Sequence, residues 1–134
     1  MNVVNELLPD RAKVARFFQD TGDEPFVMVN LLKFREKAAY EDGDRGLSGK
    51  DAYDQYGAEV KKLIAQWGGR EIFSGAITGV LLGEIEDNWD AVALIEYPTH
   101  EAFQGMMSSS EYQKIAVHRS AGLEGQLNIR SAAI

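Results

Sequence analysis

The sequence predicts an α+β fold in which a single antiparallel sheet is built in the chain order β-α-β-β-α-β, with its helices on one face. Three observations favour this fold. Short runs rich in β-branched and aromatic residues predict strands, amphipathic stretches between them predict helices, and the chain has neither an internal repeat nor a low-complexity linker. A chain of 134 residues has the usual size of one domain, here with a helical extension over 1–24 and a core over 25–134.

Start and stop signals delimit eight elements. Ser48 with Asp51, and Ser108 with Glu111, form capping boxes, in which side-chain oxygens accept hydrogen bonds from the free N–H groups of a helix start. Thr99 is a third candidate cap, directly after a proline that ends a strand. The predicted elements are helix 10–19, strand 26–34, helix 48–67, strand 70–82, strand 89–97, a short helix after 99, helix 108–121 and strand 126–132.

Two segments depart from regular structure in this prediction. The strand 70–82 contains Gly75 and Gly79, where we expect a weak point or a bulge. The charged, glycine-containing segment 35–47 joins the first strand to the long helix. A loop of this length in a small domain is either a lid or binding loop, or a solvated surface loop.

The composition excludes several classes of protein. The net charge of -7 leaves no basic face for a nucleic-acid partner. The absence of cysteine excludes disulfides, thiolate nucleophiles and cysteine metal sites. No apolar stretch approaches membrane-spanning length, and the first residues do not resemble a signal peptide. We therefore expect a cytoplasmic protein without a membrane partner.

Both faces of the first and third predicted strands are apolar. The two sides of the first strand carry Phe26, Met28 and Leu32, and Val27, Val29 and Leu31. An antiparallel sheet with one face in water should instead alternate apolar and polar residues. Because the helices cover only one face, the other requires a dry partner. The sequence therefore predicts a homodimer through sheet faces, which would bury on the order of 800 Å² per subunit.

Three segments resemble one known family. They are PFVMVNLLKFRE at 25–36, DAYDQYGAEVKKLIAQWGGR at 51–70 and WDAVALIEYPTHEAFQGMMSSSEYQKIAVHRSAGLE at 89–124. Together they resemble the uncharacterised Domain of Unknown Function 1330 family of the dimeric α/β-barrel superfamily. The resemblance covers 26–129 and implies a ferredoxin-like monomer, a dimeric barrel and a cleft between the sheet and the helices. In this family the N-terminal helix is an extension that only some members have.

The same resemblance leaves the reaction open. Superfamily relatives include cofactor-independent oxygenases, haem-degrading oxygenases, lactone isomerases and dehalogenases, and their catalytic residues differ. Fold analogy alone therefore does not choose a chemistry. Haem-degrading relatives also carry an asparagine in the first strand, but their histidine is not placed like His118. We therefore expect no haem, and no other cofactor.

Arg119 is the residue that most directly indicates a site. On a helical wheel at about 100° per residue, it lies in the apolar stripe that begins at Tyr112. A partly buried guanidinium needs an anionic partner. That partner is either the carboxylate or enolate of a ligand, or an internal group such as Glu96 or Asp54.

Two other polar residues complete the predicted catalytic set. His118 lies at the edge of the stripe, where it is either a general acid or base or a surface residue. Asn30 interrupts the apolar run 26–32 and either orients a substrate or makes a structural hydrogen bond. The two histidines, His100 and His118, lack a metal-ligating spacing, so no metal is expected.

These residues lead to one hypothesis and two alternatives. The hypothesis is an oxygenase or isomerase that acts on a hydrophobic, anionic or enolisable small molecule, in which Arg119 stabilises negative charge, His118 moves a proton and Asn30 orients the substrate. The alternatives are a non-catalytic homodimer that binds a small ligand, and a dimer without any ligand. Aromatic residues that either line the pocket or belong to the core are Tyr53, Tyr56, Trp67, Trp89 and Tyr97.

Overall fold

The computed structural model describes residues 6–19, 22–85 and 89–134. The elements are helix α1 (Arg11–Gln19), strand β1 (Phe26–Phe34), helix α2 (Gly49–Gln66), strands β2 (Arg70–Ala76) and β3 (Ala91–Tyr97), helices α3 (His100–Ser108) and α4 (Ser110–Gly122), and strand β4 (Leu123–Ser131). Their order is the predicted one. None of the helices in these ranges is long and apolar enough to cross a membrane.

The strands form one antiparallel sheet in the order β2-β3-β1-β4. A β-α-β-β-α-β chain with this order is the ferredoxin-like fold, so the predicted fold class is confirmed. Strand β1 is central, and its register sets Asn30 opposite Ala93 of β3 and Asn128 of β4. Polar groups in β1 therefore lie in the middle of the sheet.

The core lies between the sheet and the helices. Met28 and Ile95 of the sheet pack with Tyr56 of α2 and Met106 of α3 in one apolar cluster. Helix α1 joins this cluster at its edge through Phe17, whose ring centroid is 6.0 Å from that of Phe103 in α3 and lies edge-on to that of Phe26. The side of β1 that carries Phe26, Met28 and Leu32 is buried in this core.

Gly49 and Gly122 allow the backbones of α2 and α4 to come into direct contact where the helices cross. A Cβ at Gly122 would lie 2.5 Å from the carbonyl oxygen of Gly49 and 2.8 Å from the backbone nitrogen of Tyr53. A Cβ at Gly49 would in turn collide with the backbone of Arg35. The last turn of α4, which contains Arg119, is therefore held against the start of α2 and the end of β1.

Three strand boundaries differ from the predicted ones by two residues or more. Strand β2 ends at Ala76 rather than 82, and β3 begins at Ala91 rather than 89, because the pairing between these strands ends with Ala76 opposite Ala91. Strand β4 begins at Leu123 rather than 126, because that residue already pairs with the end of β1. The loop predicted over 83–88 falls partly outside the described residues.

The irregularity predicted in β2 occurs at another residue. The register shifts between Glu71 and Phe73, which makes Ile72 the extra residue. Gly75 pairs regularly, and Gly79 lies beyond the end of the strand. The prediction of a bulge at the glycines was therefore wrong.

Two of the three predicted helix caps, at Ser48 and Thr99, are confirmed, and the third is displaced. Ser48 Oγ accepts a hydrogen bond from Asp51 N at 3.0 Å, as the capping box predicts. At the start of α4 the cap is Ser109 rather than Ser108, and its Oγ accepts from Tyr112 N at 3.2 Å. Ser108 is still the last residue of α3, whereas Ser109 has the extended backbone that a cap requires.

The second face of the sheet is apolar and carries none of the described helices. One row crosses all four strands on this face and consists of Phe73, Leu94, Val29 and Ile129. Phe73 is 56% exposed and Ile129 is 50% exposed. A hollow beside this row is lined by the apolar side chains of Val27, Ile72 and Leu94.

Candidate functional site

Polar side chains cross the core from α4 to the centre of the sheet. Arg119 donates from Nη2 to Oε1 of Gln126 in β4. Gln126 Nε2 donates to Oδ1 of Asn30 at 2.8 Å, and Asn30 Nδ2 donates to the carbonyl oxygen of Ala93 at 3.1 Å. The structure thus brings two of the three predicted catalytic residues together, with Gln126 as the link.

The direction of this hydrogen-bond chain follows from the chemistry of arginine. A guanidinium has donors only, so Gln126 must present its carbonyl oxygen to Arg119 and its amide nitrogen to Asn30. Asn30 then has its amide nitrogen left for the carbonyl oxygens of Ala93 and Met28. Both polar atoms of Asn30 are engaged within the protein, so this residue holds Gln126 and, through it, Arg119.

Arg119 contacts only neutral oxygens among the described residues. Besides Gln126, its Nη2 donates to the carbonyl oxygen of Leu7 at 2.9 Å. The two carboxylates considered as internal partners are engaged elsewhere, because Glu96 pairs with Arg70 at 3.0 Å and Asp54 pairs with Lys50 at 2.8 Å. A half-buried positive charge without a carboxylate is a candidate binding site for an anion.

Tyr53 provides a hydroxyl group near this charge. Burial raises the pKa of Tyr53, while the neighbouring charge of Arg119 opposes that shift. The phenol is therefore neutral at physiological pH and able to donate a hydrogen bond. Within the described structure the hydroxyls of Tyr40, Tyr56 and Tyr112 have protein partners, whereas those of Tyr53 and Tyr97 have none. Tyr53 is thus available to a ligand.

Further aromatic groups surround Tyr53. The ring centroids of Phe34 and Tyr56 each lie 5.3 Å from that of Tyr53. Tyr56 shares a hydrogen bond of 3.2 Å with Tyr112, and burial raises its pKa. Burial also raises the pKa of Tyr97, with Tyr112 and Tyr53 adding to the shift. Of the five predicted aromatic residues, Tyr53 and Tyr56 therefore lie near Arg119, whereas the ring of Tyr97 packs against Phe26 and Phe103 in the apolar cluster.

The two tryptophans lie apart from this group. Trp67 follows the end of α2, is 38% exposed and lies against the backbone of Gly105 in α3. Trp89 is buried just before β3, where the backbone of Asp90 donates to the carbonyl of Leu32 at 2.9 Å. Trp67 thus lies on the surface of the helical layer, and Trp89 lies at the end of the sheet.

His118 faces the segment 35–47. Its Nδ1 lies 2.7 Å from the hydroxyl of Tyr40. The segment is also attached to the end of α4 through its backbone, because Ala39 N donates to Ala121 O at 2.9 Å. His118 therefore links α4 to this segment and is not part of the hydrogen-bond chain of its neighbour Arg119.

Gln126 is the site residue that the sequence prediction missed. It lies opposite Leu32 in the register, and therefore on the core side of the sheet, and it is 9% exposed. The feature that could have identified Gln126 as a site residue is its polar side chain at a core-facing position of β4. Within the predicted strand 126–132, Gln126 shares a side with Asn128 and Arg130, so the alternation of the strand indicated a polar side and not the core.

Comparisons with known proteins identify the family. The model of the Domain of unknown function (DUF1330) family matches residues 44–132, which is more than half of the chain. The chain belongs to this family. The resemblance in the sequence is thus confirmed. A search of curated proteins found no match.

Solved structures extend this comparison. A protein of unknown function from Rhodopseudomonas palustris is 29% identical, with a TM-score of 0.89 and 98% of each chain covered. A dimeric protein of unknown function with a ferredoxin-like fold from Bacteroides fragilis is 12% identical, with a TM-score of 0.53 over 80% of this chain and 94% of that chain. SnoaB, a cofactor-independent oxygenase from Streptomyces nogalater, is 13% identical, with a TM-score of 0.55 over 83% of this chain and 94% of that chain. The last two likenesses establish the fold.

Proposed function

We propose that the protein is a homodimeric enzyme that acts on a hydrophobic, anionic or enolisable small molecule, by cofactor-independent oxygenation or by isomerisation. The observation that carries this proposal is Arg119, whose half-buried guanidinium meets only neutral oxygens in the described ranges. A ligand anion at this position would provide the missing negative charge. We place the protein in the cytoplasm, with which the cysteine-free composition agrees.

The proposed chemistry assigns one task to each polar group. Arg119 stabilises the negative charge of a carboxylate or enolate oxygen, and the neutral hydroxyl of Tyr53 donates a second hydrogen bond to it. Gln126 and Asn30 hold the guanidinium in place. His118 moves the proton, through Nε2, since Nδ1 is engaged with Tyr40. An oxygenase that needs no cofactor has the same fold, which supports this class of reaction for the present site.

The homodimer is proposed from the apolar second face of the sheet. Phe73, Leu94, Val29 and Ile129 form its central row. The same face of a second copy is complementary to this row by symmetry, and a contact of the usual size would bury about 800 Å² per subunit. A dimeric protein with the same fold supports this assembly.

A second candidate function is a non-catalytic homodimer that binds a small ligand. The observation in its favour is that His118 is bound to Tyr40 and Asn30 to Gln126, so each already has a role inside the protein. In that case Arg119 and Tyr53 bind the ligand, and His118 only fastens the segment 35–47.

The experiment that tests the proposal compares a charged probe with a neutral probe of the same shape. Benzoate and benzamide are titrated by calorimetry into the wild-type protein and into Arg119→Met. A hydrogen bond to a charged group contributes about 1.5–3 kcal/mol, so benzoate affinity should fall about 10–100-fold in the variant. Benzamide affinity should change less than about three-fold.

The controls separate binding from folding. Arg119→Lys retains the positive charge and should retain a part of the benzoate affinity, although lysine does not reproduce the planar contact. Circular dichroism establishes that each variant is folded before it is titrated. If the wild-type protein binds neither probe, or if both probes lose affinity equally in Arg119→Met, Arg119 is not an anion site and the proposal fails.

A further inference from the structure

The segment 6–8 covers the candidate anion site. The carbonyl oxygen of Leu7 accepts a hydrogen bond from Arg119 Nη2 at 2.9 Å. The backbone of Glu6 lies beside β4, where its N–H donates to the carbonyl oxygen of Gln126. The segment thus touches two consecutive residues of the hydrogen-bond chain. In this conformation a neutral peptide oxygen occupies the position beside Arg119 at which a ligand anion would bind.

Among the described residues, the contacts that hold this segment are few and weak. The hydrogen bond between Glu6 N and Gln126 O is 3.4 Å long, which is beyond the usual range. Glu6 also pairs with Lys13 of α1, but both side chains are well exposed to solvent, and exposed ion pairs contribute little. Leu8 is exposed. The segment therefore rests on the site without being packed into the core.

A carboxylate is a better partner for Arg119 than the Leu7 carbonyl. The peptide oxygen is neutral, whereas a carboxylate adds direct charge attraction and accepts two parallel hydrogen bonds from a guanidinium. Nη2 is already engaged by Leu7 and Gln126. A ligand that used Arg119 fully would have to take the place of Leu7.

We propose that the segment 6–8 is a cover that an anionic ligand displaces, with the Leu7 carbonyl as a stand-in for the ligand oxygen. This inference rests on the proposed function of Arg119 and adds to it a regulation of the same site. The free protein is in the covered state, so part of the binding free energy is used to release the segment. Any change that loosens the segment therefore raises the affinity for anions.

Selective isotope labelling makes the Leu7 carbonyl directly observable. The sequence contains three Leu-Leu pairs, at 7–8, 31–32 and 81–82. A protein labelled with carbonyl-¹³C leucine and ¹⁵N leucine therefore gives three signals in a spectrum that connects a carbonyl to the following amide. Benzoate should shift and sharpen the signal of the 7–8 pair, while the signal of the exposed 81–82 pair stays in place.

A pair of lysine variants tests the coupling. Lys13→Ala removes the ion pair with Glu6, whereas Lys62→Ala removes a similarly exposed pair with Glu59 at the same cost in charge. Lys13→Ala should tighten benzoate binding by up to about five-fold, which corresponds to the loss of one exposed ion pair. Lys62→Ala should leave the affinity unchanged.

Each outcome bears on a defined claim. Arg119-dependent binding of benzoate without a change in the 7–8 signal overturns the cover and leaves the proposed function intact. Equal affinities of the two lysine variants also overturn it. If none of the three proteins binds benzoate, the proposed function fails and the cover fails with it. Benzoate binding that moves the 7–8 signal and is tightened by Lys13→Ala supports both.

Discussion

At the scale of single residues, the site depends on Gln126, which joins Arg119 to Asn30. The sequence singled out Arg119 because it lies in an apolar stripe, and Asn30 because it interrupts an apolar strand. What it could not provide is the contact between them, because that contact runs through Gln126, which lies 96 residues from Asn30 along the chain. Sequence periodicity describes neighbours within one element and not pairs of elements, so the candidate residues were predictable and their connection was not.

The burial of Tyr53 predicts how the stability of the protein depends on pH. Because burial raises its pKa in the folded protein, the unfolded chain loses the phenolic proton first, at a pH of about 10. The stabilising contribution of the neutral phenol is therefore present below that pH and is lost as the pH rises above it. Tyr53→Phe should be more stable relative to the wild type at pH 11 than at pH 7, by about 1 kcal/mol. Urea unfolding at both pH values measures the difference. An equal difference at both would show that the folded state does not protect this hydroxyl.

At the scale of secondary structure, local signals located most elements, and tertiary pairing set their ends. The strand β1 and the cap of α2 were predicted correctly because their signals are local: β-branched residues after a proline, and a serine three residues before an aspartate. Strand β2 was predicted too long, because apolar residues such as Val80 and Leu81 continue beyond Ala76. None of the described strands pairs with those residues, and the sequence of β2 alone does not contain that information.

The N-cap of α4 predicts which serine contributes to the stability of the protein. Three serines in succession have equal capping chemistry, but only Ser109 accepts from Tyr112 N, and its hydroxyl also donates to Met106 O at 2.7 Å. Ser109→Ala should destabilise the protein by about 1 kcal/mol. Ser108→Ala should change stability by less than about 0.5 kcal/mol. Urea unfolding at one fixed protein concentration compares the two variants. A larger loss of stability from Ser108→Ala than from Ser109→Ala would show that Ser108 is the cap, as the sequence pattern indicated, and would contradict the structure.

At the scale of the whole molecule, the two faces of one sheet have different partners. The inner face meets helices of the same chain, and the outer face has an apolar row that none of the described elements covers. The sequence predicted this feature, because the same strand places apolar residues on both sides. It also explains how the site can remain intact in a dimer, since Arg119 and Tyr53 lie on the helical side, away from the proposed contact.

The dimer is tested by two substitutions of equal exposure. Ile129 on the sheet face and Val117 on the outer side of α4 are each 50% exposed. Ile129→Glu places an unpaired charge twice in a symmetric apolar contact, at a cost of several kcal/mol, and should yield monomers at micromolar concentration. Val117→Glu adds the same charge on the helical surface and should leave the dimer unchanged. Sedimentation velocity measures both. A wild-type protein that is monomeric at micromolar concentration, or a Val117→Glu variant that dissociates as readily as Ile129→Glu, would contradict a contact through the sheet face.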